Sequence, residues 1–366
     1  MLVYVFLKLK YVFTKAKKEW ANCHFYSINV LFICSSLTAH SLMANLNSKK
    51  ILIIDDFHPV FCETLKSNNF EVNYLPNIAA NQVIQSAQNY PIIACRSKIN
   101  FNSEIINQLP HLKCLARGGA GMDNIDEEAA LTKQITLLNA PEGNRNAVAE
   151  HALGLLLNLS NNISSSFHEI KDFKWNREQN RGFELDGKTI GVIGFGNTGK
   201  AFVKKLSGFD SEILIHDIGF DVESHQNYKN ASLKEIQEKA DIISLHIPLN
   251  KQNKHFINED FISNCNKNFV LINTSRGKIV KTESIIEALD SKKILGFGSD
   301  VLENENIQNL DKNEKELFNN LFTRKNVVIT PHVAGWTKES YYKIGEILAK
   351  KIVEFSDKNK KNEDEC

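Results

Sequence analysis

Short apolar runs alternate with more polar, helix-like stretches from about residue 50 onward. The first series comprises KKILIID, FEVNYLP, IIACRS, LKCLARGG and ITLLNAP. A second series, after a polar stretch at residues 171–188, comprises TIGVIG, EILIHD, DIISLHIP, FVLINTS, ILGFGSDV and NVVITP. Runs of this length between helical segments predict parallel strands with helices on both faces of the sheet. The pattern therefore predicts an α/β fold with two doubly wound parallel-sheet domains.

Three helical stretches add detail to this picture. EGNRNAVAEHALGLLLNLS is apolar nearly all round, which indicates a buried helix that could link the two domains. Ser232 is followed three residues later by Glu235, and this spacing predicts a capping box at a helix start. A last helix, from about 337 to 355, could pack back on the first series of strands.

Composition and charge exclude some classes of protein. The 366 residues favour about two domains, and the formal net charge is only +1. Seven of the lysines lie in residues 1–50, so the rest of the chain offers no basic footprint for nucleic acid. The seven cysteines are scattered, without a CxxC pair or zinc spacing. We expect incidental thiols in a reducing compartment, no metal and no nucleic-acid partner.

Both ends of the chain differ from the middle. Residues 1–43 mix apolar and basic positions, and their apolar run is too short to span a bilayer. We interpret them as an extension that is either disordered or not translated, in which case translation starts at Met43. The alternative is a signal peptide with an unusually long charged start. Initiation at Met43 predicts a cytoplasmic product without a membrane partner. Residues 356–366 are charged, lack an apolar stripe and are predicted to form a frayed tail.

The stretch GFGNTG follows the run TIGVI and opens a helix. Gly194 permits a tight turn, Gly196 lets the backbone approach a pyrophosphate, and Gly199 lets the helix lie close to the strand. The first backbone N–H groups of the helix, at Asn197 and Thr198, are expected to hold the anion. This arrangement is the fingerprint of a dinucleotide-binding turn.

Two residues narrow the choice of ligand: an acidic residue after the next strand, and a residue that departs from a competing phosphate-binding motif. Asp217 ends the next strand, where it can accept hydrogen bonds from ribose hydroxyls and repel a 2′-phosphate, so NAD is favoured over NADP. The same stretch also spells the phosphate loop of nucleotide hydrolases, GxxxxGK. That motif requires Ser or Thr next, and here the residue is Ala201.

Three polar side chains follow strands of the second series: Arg276, Glu305 and His332. Taken singly, each has an ordinary structural explanation: Arg276 as a solvated loop residue, Glu305 as a surface carboxylate and His332 as a structural histidine. In open α/β sheets, however, ligands bind beyond the carboxyl ends of the strands, so the three are expected to meet beside the dinucleotide. A histidine can move the proton of an alcohol, a carboxylate can fix its tautomer, and an arginine can bind a substrate carboxylate. Together they predict a 2-hydroxyacid/2-oxoacid oxidoreductase.

From about residue 50 to 355 the chain resembles the D-isomer-specific 2-hydroxyacid dehydrogenase family, and most closely its D-3-phosphoglycerate dehydrogenase branch. The stretches that carry the resemblance are RGGAGMDNID, NAPEGNRNAVAEHALG, GVIGFGNTGK, INTSRGKIV, GSDVLENE and TPHVAGWT. The resemblance implies that Arg276 binds the substrate carboxylate and carbonyl, that His332 is the acid/base, and that Glu305 is its partner. Asn306 replaces the usual Pro after that Glu, and the segment between Glu305 and His332 looks longer than usual.

The resemblance also implies an architecture. A flavodoxin-like substrate domain, residues 44–142 plus 335–355, is split by an inserted Rossmann NAD domain, residues 143–334. Thr274 and Asp300 would line the nicotinamide side, and the backbone at Ala120 and Gly121 would hold the substrate carboxylate. The family is typically homodimeric, pairing through the coenzyme domains.

Arg96 bears on the choice of substrate. It ends a strand of the first domain and matches an arginine that meets the phosphate in the phosphoglycerate branch, and Arg117 is nearby in the same scheme. Two cations suit the dianionic phosphate of the D-3-phosphoglycerate/3-phosphohydroxypyruvate pair of serine biosynthesis. The alternatives are a surface Arg96 with a plain 2-oxoacid substrate, such as glyoxylate, hydroxypyruvate or pyruvate (a D-lactate type), or a non-catalytic NAD-binding regulator. The intact Arg, Glu and His argue against the regulator.

Overall fold

The structure of the chain, a computed structural model, describes residues 49–219 and 225–364, with side chains to residue 358. The predicted extension at residues 1–43 lies outside the described residues. None of the helices in the described ranges is long and apolar enough to cross a membrane.

The first five strands form one all-parallel sheet. They are β1 (Lys50–Ile53), β2 (Glu71–Tyr74), β3 (Ile92–Cys95), β4 (Cys114–Arg117) and β5 (Thr136–Asn139), in the order β2-β1-β3-β4-β5. The connecting helices are α1 (Pro59–Ser67), α2 (Ala80–Ala87), α3 (Ser103–Asn107) and α4 (Glu127–Thr132). β3 is buried along its whole length, as expected for a strand covered on both faces. This strand order is that of flavodoxin-like folds, as predicted.

The second sheet has seven parallel strands. They are β6 (Thr189–Ile193), β7 (Glu212–His216), β8 (Lys229–Asn230), β9 (Ile242–Leu245), β10 (Phe269–Asn273), β11 (Ile294–Ser299) and β12 (Val327–Ile329). The order β12-β11-β10-β9-β6-β7-β8 is that of a Rossmann sheet. All strands are parallel, but the order in which the chain adds them runs outward in opposite directions from the boundary between β9 and β6. Ligands of such sheets bind beyond the carboxyl ends of the strands at this switch point. The sequence did not indicate β8, since two polar residues carry no strand pattern.

The helices of the second half are α5 (Pro141–Ser160), α6 (Ile163–Lys171), α7 (Asn197–Lys205), α8 (Leu233–Lys239), α9 (Glu259–Ser263), α10 (Thr282–Asp290), α11 (Lys312–Phe322) and α12 (Lys338–Asp364). α5 is the predicted buried helix between the two sheets. Its Leu155 and Leu156 pack into the core of the second sheet. At its other end a Cβ on Gly143 would collide with Ile344 of α12, so the glycine permits a close helix crossing.

The final helix returns to the first sheet, as the sequence suggested. Ile344, Leu348 and Ile352 are buried in the same cluster as Ile51 and Ile53 of β1. The predicted frayed tail from residue 356 is wrong as far as residue 364, because the helix continues to Asp364. Lysine and glutamate are good helix formers, so a charged stretch can extend a helix that packing has already anchored.

The predicted capping box at α8 is half formed. The side chain of Ser232 accepts a hydrogen bond from the backbone N–H of Glu235 at 3.1 Å. The Glu235 carboxylate accepts one from Lys239 at 2.6 Å, one turn along the helix, instead of reaching back to the cap. A reciprocal box forms at α11 between Asp311 and Glu314.

Candidate active site

The glycine-rich turn joins β6 to α7 at the switch point of the second sheet. Gly194 has φ +96°, and a Cβ there would collide with the carbonyl oxygen of His246. A Cβ on Gly199 would collide with the carbonyl oxygen of Gly194, so the helix does need this glycine to approach the strand. Gly196 precedes the helix start at Asn197; no side chain caps the helix, and the space where a Cβ at Gly196 would point is open. The turn therefore leaves helix N–H groups available to an anion.

Asp217 lies beside this turn, directly after β7. Its Oδ2 accepts from the backbone N–H of Phe195 at 2.6 Å, and its Oδ1 accepts from that of Gly219 at 2.8 Å. These two bonds fix the carboxylate against the glycine-rich turn. Each carboxylate oxygen has a second lone pair that can accept from a sugar hydroxyl.

We expect Asp217→Ala to lower kcat/KM for NADH about tenfold to a hundredfold, because a charge-assisted hydrogen bond to ribose is lost. Use of NADPH should rise at the same time, because the repulsion of a 2′-phosphate is removed. Steady-state kinetics with both coenzymes checks this, with Asp210→Ala as the control at an exposed carboxylate of the same half of the chain. NADPH use that stays negligible in Asp217→Ala would show that Asp217 is misassigned.

Thr274 follows β10, and its buried Oγ1 has no hydrogen-bond partner in the described part of the chain. A buried hydroxyl without a partner is costly, which is why such groups commonly face a ligand. The residues of this half thus fit a dinucleotide: an open glycine turn, an uncapped helix, a fixed acidic group and an orphaned hydroxyl. The position of Thr274 on the nicotinamide side stays a prediction.

His332 and Glu305 meet beyond the carboxyl ends of β12 and β11. His332 Nδ1 lies 2.8 Å from Glu305 Oε2, and the two side chains are 47% and 45% exposed, so a small molecule can reach them. Neither Asn306 nor the long segment that follows keeps the pair apart. His332 has φ +55°, a left-handed conformation that is uncommon for a non-glycine residue and carries some strain.

The buried carboxylate of Asp300 holds the loop that carries His332. Its Oδ1 accepts from Thr330 Oγ1 at 2.5 Å and from the N–H of Val333 at 2.9 Å, and its Oδ2 accepts from the N–H of Ala334 at 2.7 Å. His151 of α5 completes this network, with Nε2 2.8 Å from Thr330 Oγ1. These bonds stabilise the strained conformation of the loop. The predicted role of Asp300 toward the nicotinamide stays a prediction.

Arg276 follows β10 and reaches across to the first half of the chain. Its Nε and Nη2 each lie 2.8 Å from Asp123 Oδ2, and its Nη1 donates to the carbonyl of Ser275 at 2.7 Å. Asp123 lies in the stretch RGGAGMDNID, but nothing in the sequence pattern marks it as the partner of Arg276. Gly277 is required by close approach, because a Cβ there would collide with the carbonyl oxygen of Leu302.

Arg276 also lies against the turn that follows β4. A Cβ on Gly121 would collide with the guanidinium of Arg276. The carbonyl of Ala120 accepts from Asn139 Nδ2 at 2.7 Å, while the N–H groups of Ala120 and Gly121 meet no acceptor among the described residues. This turn therefore offers free backbone donors beside the arginine, as a carboxylate site requires.

Two further arginines lie near this turn. The Nε of Arg117 is buried without a partner, and burial together with the nearby charge of Arg276 lowers the pKa of Arg117. Burial lowers the pKa of Arg96 as well. Neither Arg96 nor Arg117 forms an ion pair within the described ranges, and Arg276 shares the carboxylate of Asp123. Three arginines with one paired carboxylate favour an anionic ligand.

One buried polar atom near the site escaped the sequence analysis. Asn144, in the first turn of α5, has a buried Oδ1 without a partner, and its side chain packs against Gly335 just after the His332 loop. It lies in the quoted stretch NAPEGNRNAVAEHALG, but only the structure shows that it faces this loop.

The fold and these contacts define a protein with two parallel-sheet α/β domains, a glycine-rich turn of the dinucleotide-binding type and a cluster of arginines after the strands. Residues 153–334 match the family model described as "D-isomer specific 2-hydroxyacid dehydrogenase, NAD binding domain". The hydroxypyruvate reductase of Thermotoga maritima is 33% identical over 261 residues, which are 71% of this chain and 83% of that protein. The chain belongs to the D-isomer specific 2-hydroxyacid dehydrogenase family, and its second domain is the NAD-binding domain of that family.

Other relatives differ in length and in the substrate that they are named for. The D-3-phosphoglycerate dehydrogenase of Methanocaldococcus jannaschii is 32% identical over 306 residues, which are 83% of this chain but only 56% of that protein. The chain thus spans about half the length of this relative. Among solved structures, D-lactate dehydrogenase from Aquifex aeolicus, in complex with NAD and lactic acid, has a TM-score of 0.73 and 26% identity, covering 86% of this chain and 97% of that one.

Proposed function

We propose that the protein is an NAD-dependent dehydrogenase that interconverts a D-2-hydroxyacid and its 2-oxoacid. The observation that carries this proposal is the placement of His332, Glu305 and Arg276 beyond three adjacent parallel strands, on the ligand-binding edge of the sheet that also holds the glycine-rich turn. We also propose that residues 44–142 and 335–355 form the substrate domain and that residues 143–334 form the coenzyme domain.

The side chains divide the chemistry among them. Bound NADH supplies the hydride that reaches C2 of the oxoacid. Glu305 engages Nδ1 of His332 and leaves Nε2 free to face the substrate. Nε2 donates a proton to the carbonyl oxygen in oxoacid reduction and takes the proton from the hydroxyl group in hydroxyacid oxidation. Arg276 binds the substrate carboxylate and polarises the carbonyl, with the free N–H groups of Ala120 and Gly121 beside it. Asp123 orients the guanidinium of Arg276 from the other domain.

The substrate that we propose is the D-3-phosphoglycerate/3-phosphohydroxypyruvate pair, which would place the protein in serine biosynthesis. Arg96 and Arg117 support it, because both are partly buried cations without an ion pair among the described residues. A molecule with a carboxylate and a phosphate would use all three arginines. The alternative is a plain 2-oxoacid, as the names of the hydroxypyruvate reductase and the lactate dehydrogenase relatives suggest.

A panel of 2-oxoacids assayed with NADH tests the substrate. We expect 3-phosphohydroxypyruvate to give a higher kcat/KM than hydroxypyruvate, glyoxylate or pyruvate. Arg96→Ala should lower kcat/KM for the phosphorylated substrate about tenfold to a hundredfold, since a charge-assisted contact is lost. It should change the value for glyoxylate little.

The control for this panel is Arg181→Ala, which removes an exposed arginine that pairs with Glu178 of the same segment. Equal kinetics of Arg96→Ala and wild type on the phosphorylated substrate would contradict the assignment of Arg96. Binding of NADH without turnover of any oxoacid would instead indicate the non-catalytic regulator.

We further propose a cytoplasmic homodimer that pairs through the coenzyme domains. Support comes from exposed apolar side chains on α6 and the segment after it. These are Ile163, Phe167, Ile170, Phe173 and Trp175. Phe173 is 99% exposed, which is unfavourable in water unless another surface covers it. Sedimentation equilibrium measures the mass in solution, and a monomer at micromolar concentration would contradict the dimer.

A further inference from the structure

Arg96 is covered by aromatic rings that come from the far end of the chain. Its Cζ lies 4.3 Å from the ring centroid of Trp336 and 5.7 Å from that of Tyr341. Trp336 remains 66% exposed, although tryptophan is among the residues that gain most from burial. A large exposed ring that stacks on a partly buried cation calls for an explanation.

The carboxylates near Arg96 are engaged by other groups. Asp55 Oδ2 accepts from the backbone N–H of Arg96 at 2.6 Å, not from its guanidinium. Asp56 Oδ1 accepts from Tyr74 Oη at 3.0 Å, and Asp56 Oδ2 accepts from the hydroxyl of Tyr341. The guanidinium of Arg96 therefore has a stacked face but no ion pair within the described ranges.

Stacking and anion binding use different parts of a guanidinium. A ring covers the flat face by a cation–π contact, while the five N–H donors point outward in the plane and stay available to an oxyanion. The Tyr341 hydroxyl is anchored by Asp56, so that ring is held in place. Within the described ranges the Trp336 side chain forms no hydrogen bond, and its ring stacks on Arg96 at 4.3 Å.

Trp336 also belongs to the loop that carries the proposed acid/base. It lies four residues after His332, and its backbone N–H donates to the carbonyl of Val333 at 2.8 Å. The N–H groups of Val333 and Ala334 are held by Asp300, so this loop has a defined shape. One short segment therefore carries the proposed proton donor and also contacts the Arg96 cation.

We propose that Trp336 is a specificity-determining residue, which holds the Arg96 guanidinium in the orientation that receives the distal phosphate monoester of a 2-oxoacid. This inference rests on the proposed function and deepens it. A plain oxoacid such as glyoxylate has only one carboxylate, which Arg276 and the turn at Ala120 and Gly121 bind. Trp336 therefore discriminates between the two kinds of substrate without touching the reacting carbon.

The test compares Trp336→Ala and Trp336→Phe with wild type on 3-phosphohydroxypyruvate and on glyoxylate. We expect Trp336→Ala to raise KM for the phosphorylated substrate about tenfold with kcat nearly unchanged, since a cation–π contact is lost. Kinetics on glyoxylate should change less than about twofold, and Trp336→Phe should restore most of the loss, because a phenyl ring still stacks. Leu131→Ala controls for removal of an exposed apolar side chain elsewhere.

A titration that needs no turnover separates this inference from the proposed function. Calorimetry of 3-phosphoglycerate and D-glycerate, each added to the protein with NADH, gives two dissociation constants. Trp336→Ala should weaken binding of 3-phosphoglycerate about tenfold and leave that of D-glycerate unchanged. The role of Trp336 would be overturned if Trp336→Ala lost the same affinity for both ligands or lost none. It would also be overturned if the wild-type protein bound 3-phosphoglycerate and D-glycerate with equal affinity. Failure of wild type to turn over any oxoacid would overturn the proposed function alone.

Discussion

Replacing His332 with alanine should lower kcat for oxoacid reduction about a hundredfold to ten-thousandfold, the range that a positioned general acid contributes. The imidazole is the group that Glu305 engages at 2.8 Å, and no other histidine among the described residues pairs with that carboxylate. The binding of NADH should be unchanged, because the glycine-rich turn and Asp217 are left intact. Stopped-flow turnover and a fluorescence titration of NADH measure the two effects separately.

The backbone at His332 must be considered in this experiment. Its φ of +55° is strained for alanine, whereas asparagine tolerates the left-handed region better. His332→Asn should therefore keep the melting temperature closer to that of wild type while losing as much activity as His332→Ala. His111→Ala, at an exposed histidine, serves as the control. Full turnover in His332→Asn would show that His332 is not the acid/base.

Replacing Arg276 with alanine should lower kcat/KM about a thousandfold or more, because substrate anchoring and carbonyl polarisation are lost together. Arg276→Lys should recover only a small part of this loss, since an ammonium keeps the charge but not the planar fork. Steady-state kinetics on the preferred oxoacid gives both values. An Arg276→Lys variant as active as wild type would show that the planar guanidinium is not required.

The pairing of Arg276 with Asp123 allows a sharper control. Arg276→Ala leaves the Asp123 carboxylate without its partner, which should lower stability as well as activity. The double variant Arg276→Ala/Asp123→Asn removes that uncompensated charge. It should melt closer to wild type than Arg276→Ala does and remain as inactive. Recovery of activity in the double variant would mean that the single variant failed through misfolding and not through lost chemistry.

Much of the fold could be predicted because its determinants are local. Most strands of both sheets are apolar runs with helical segments between them, and β3 and β10 are buried throughout, as such runs require. The glycine-rich turn could be identified because its glycines stand at a fixed spacing between an apolar run and a helix. The structure shows a steric demand at Gly194 and Gly199 and open space at Gly196. The meeting of Glu305 and His332 could be predicted because parallel strands place their carboxyl ends on one edge. Arg276 follows a neighbouring strand of the same sheet, and in the structure its guanidinium pairs with Asp123.

The contacts that the sequence did not reveal join distant parts of the chain. Asp123 and Arg276 are separated by 153 positions and come from different domains, so their pairing depends on how the two domains pack. The stacking of Trp336 on Arg96 likewise requires α12 to return to the first sheet. The continuation of that helix to Asp364 was missed because its anchoring residues lie earlier in the helix than its charged end.

Arg276, Glu305 and His332 are proposed to form a site that reduces a 2-oxoacid with NADH. An assay that follows the consumption of NADH with the preferred oxoacid, and identifies the enantiomer of the product by chiral chromatography, tests this site. We expect one D-2-hydroxyacid to form for each NADH consumed, and this reaction to be lost in both His332→Asn and Arg276→Lys. An L-2-hydroxyacid product, or undiminished turnover in both variants, would contradict it.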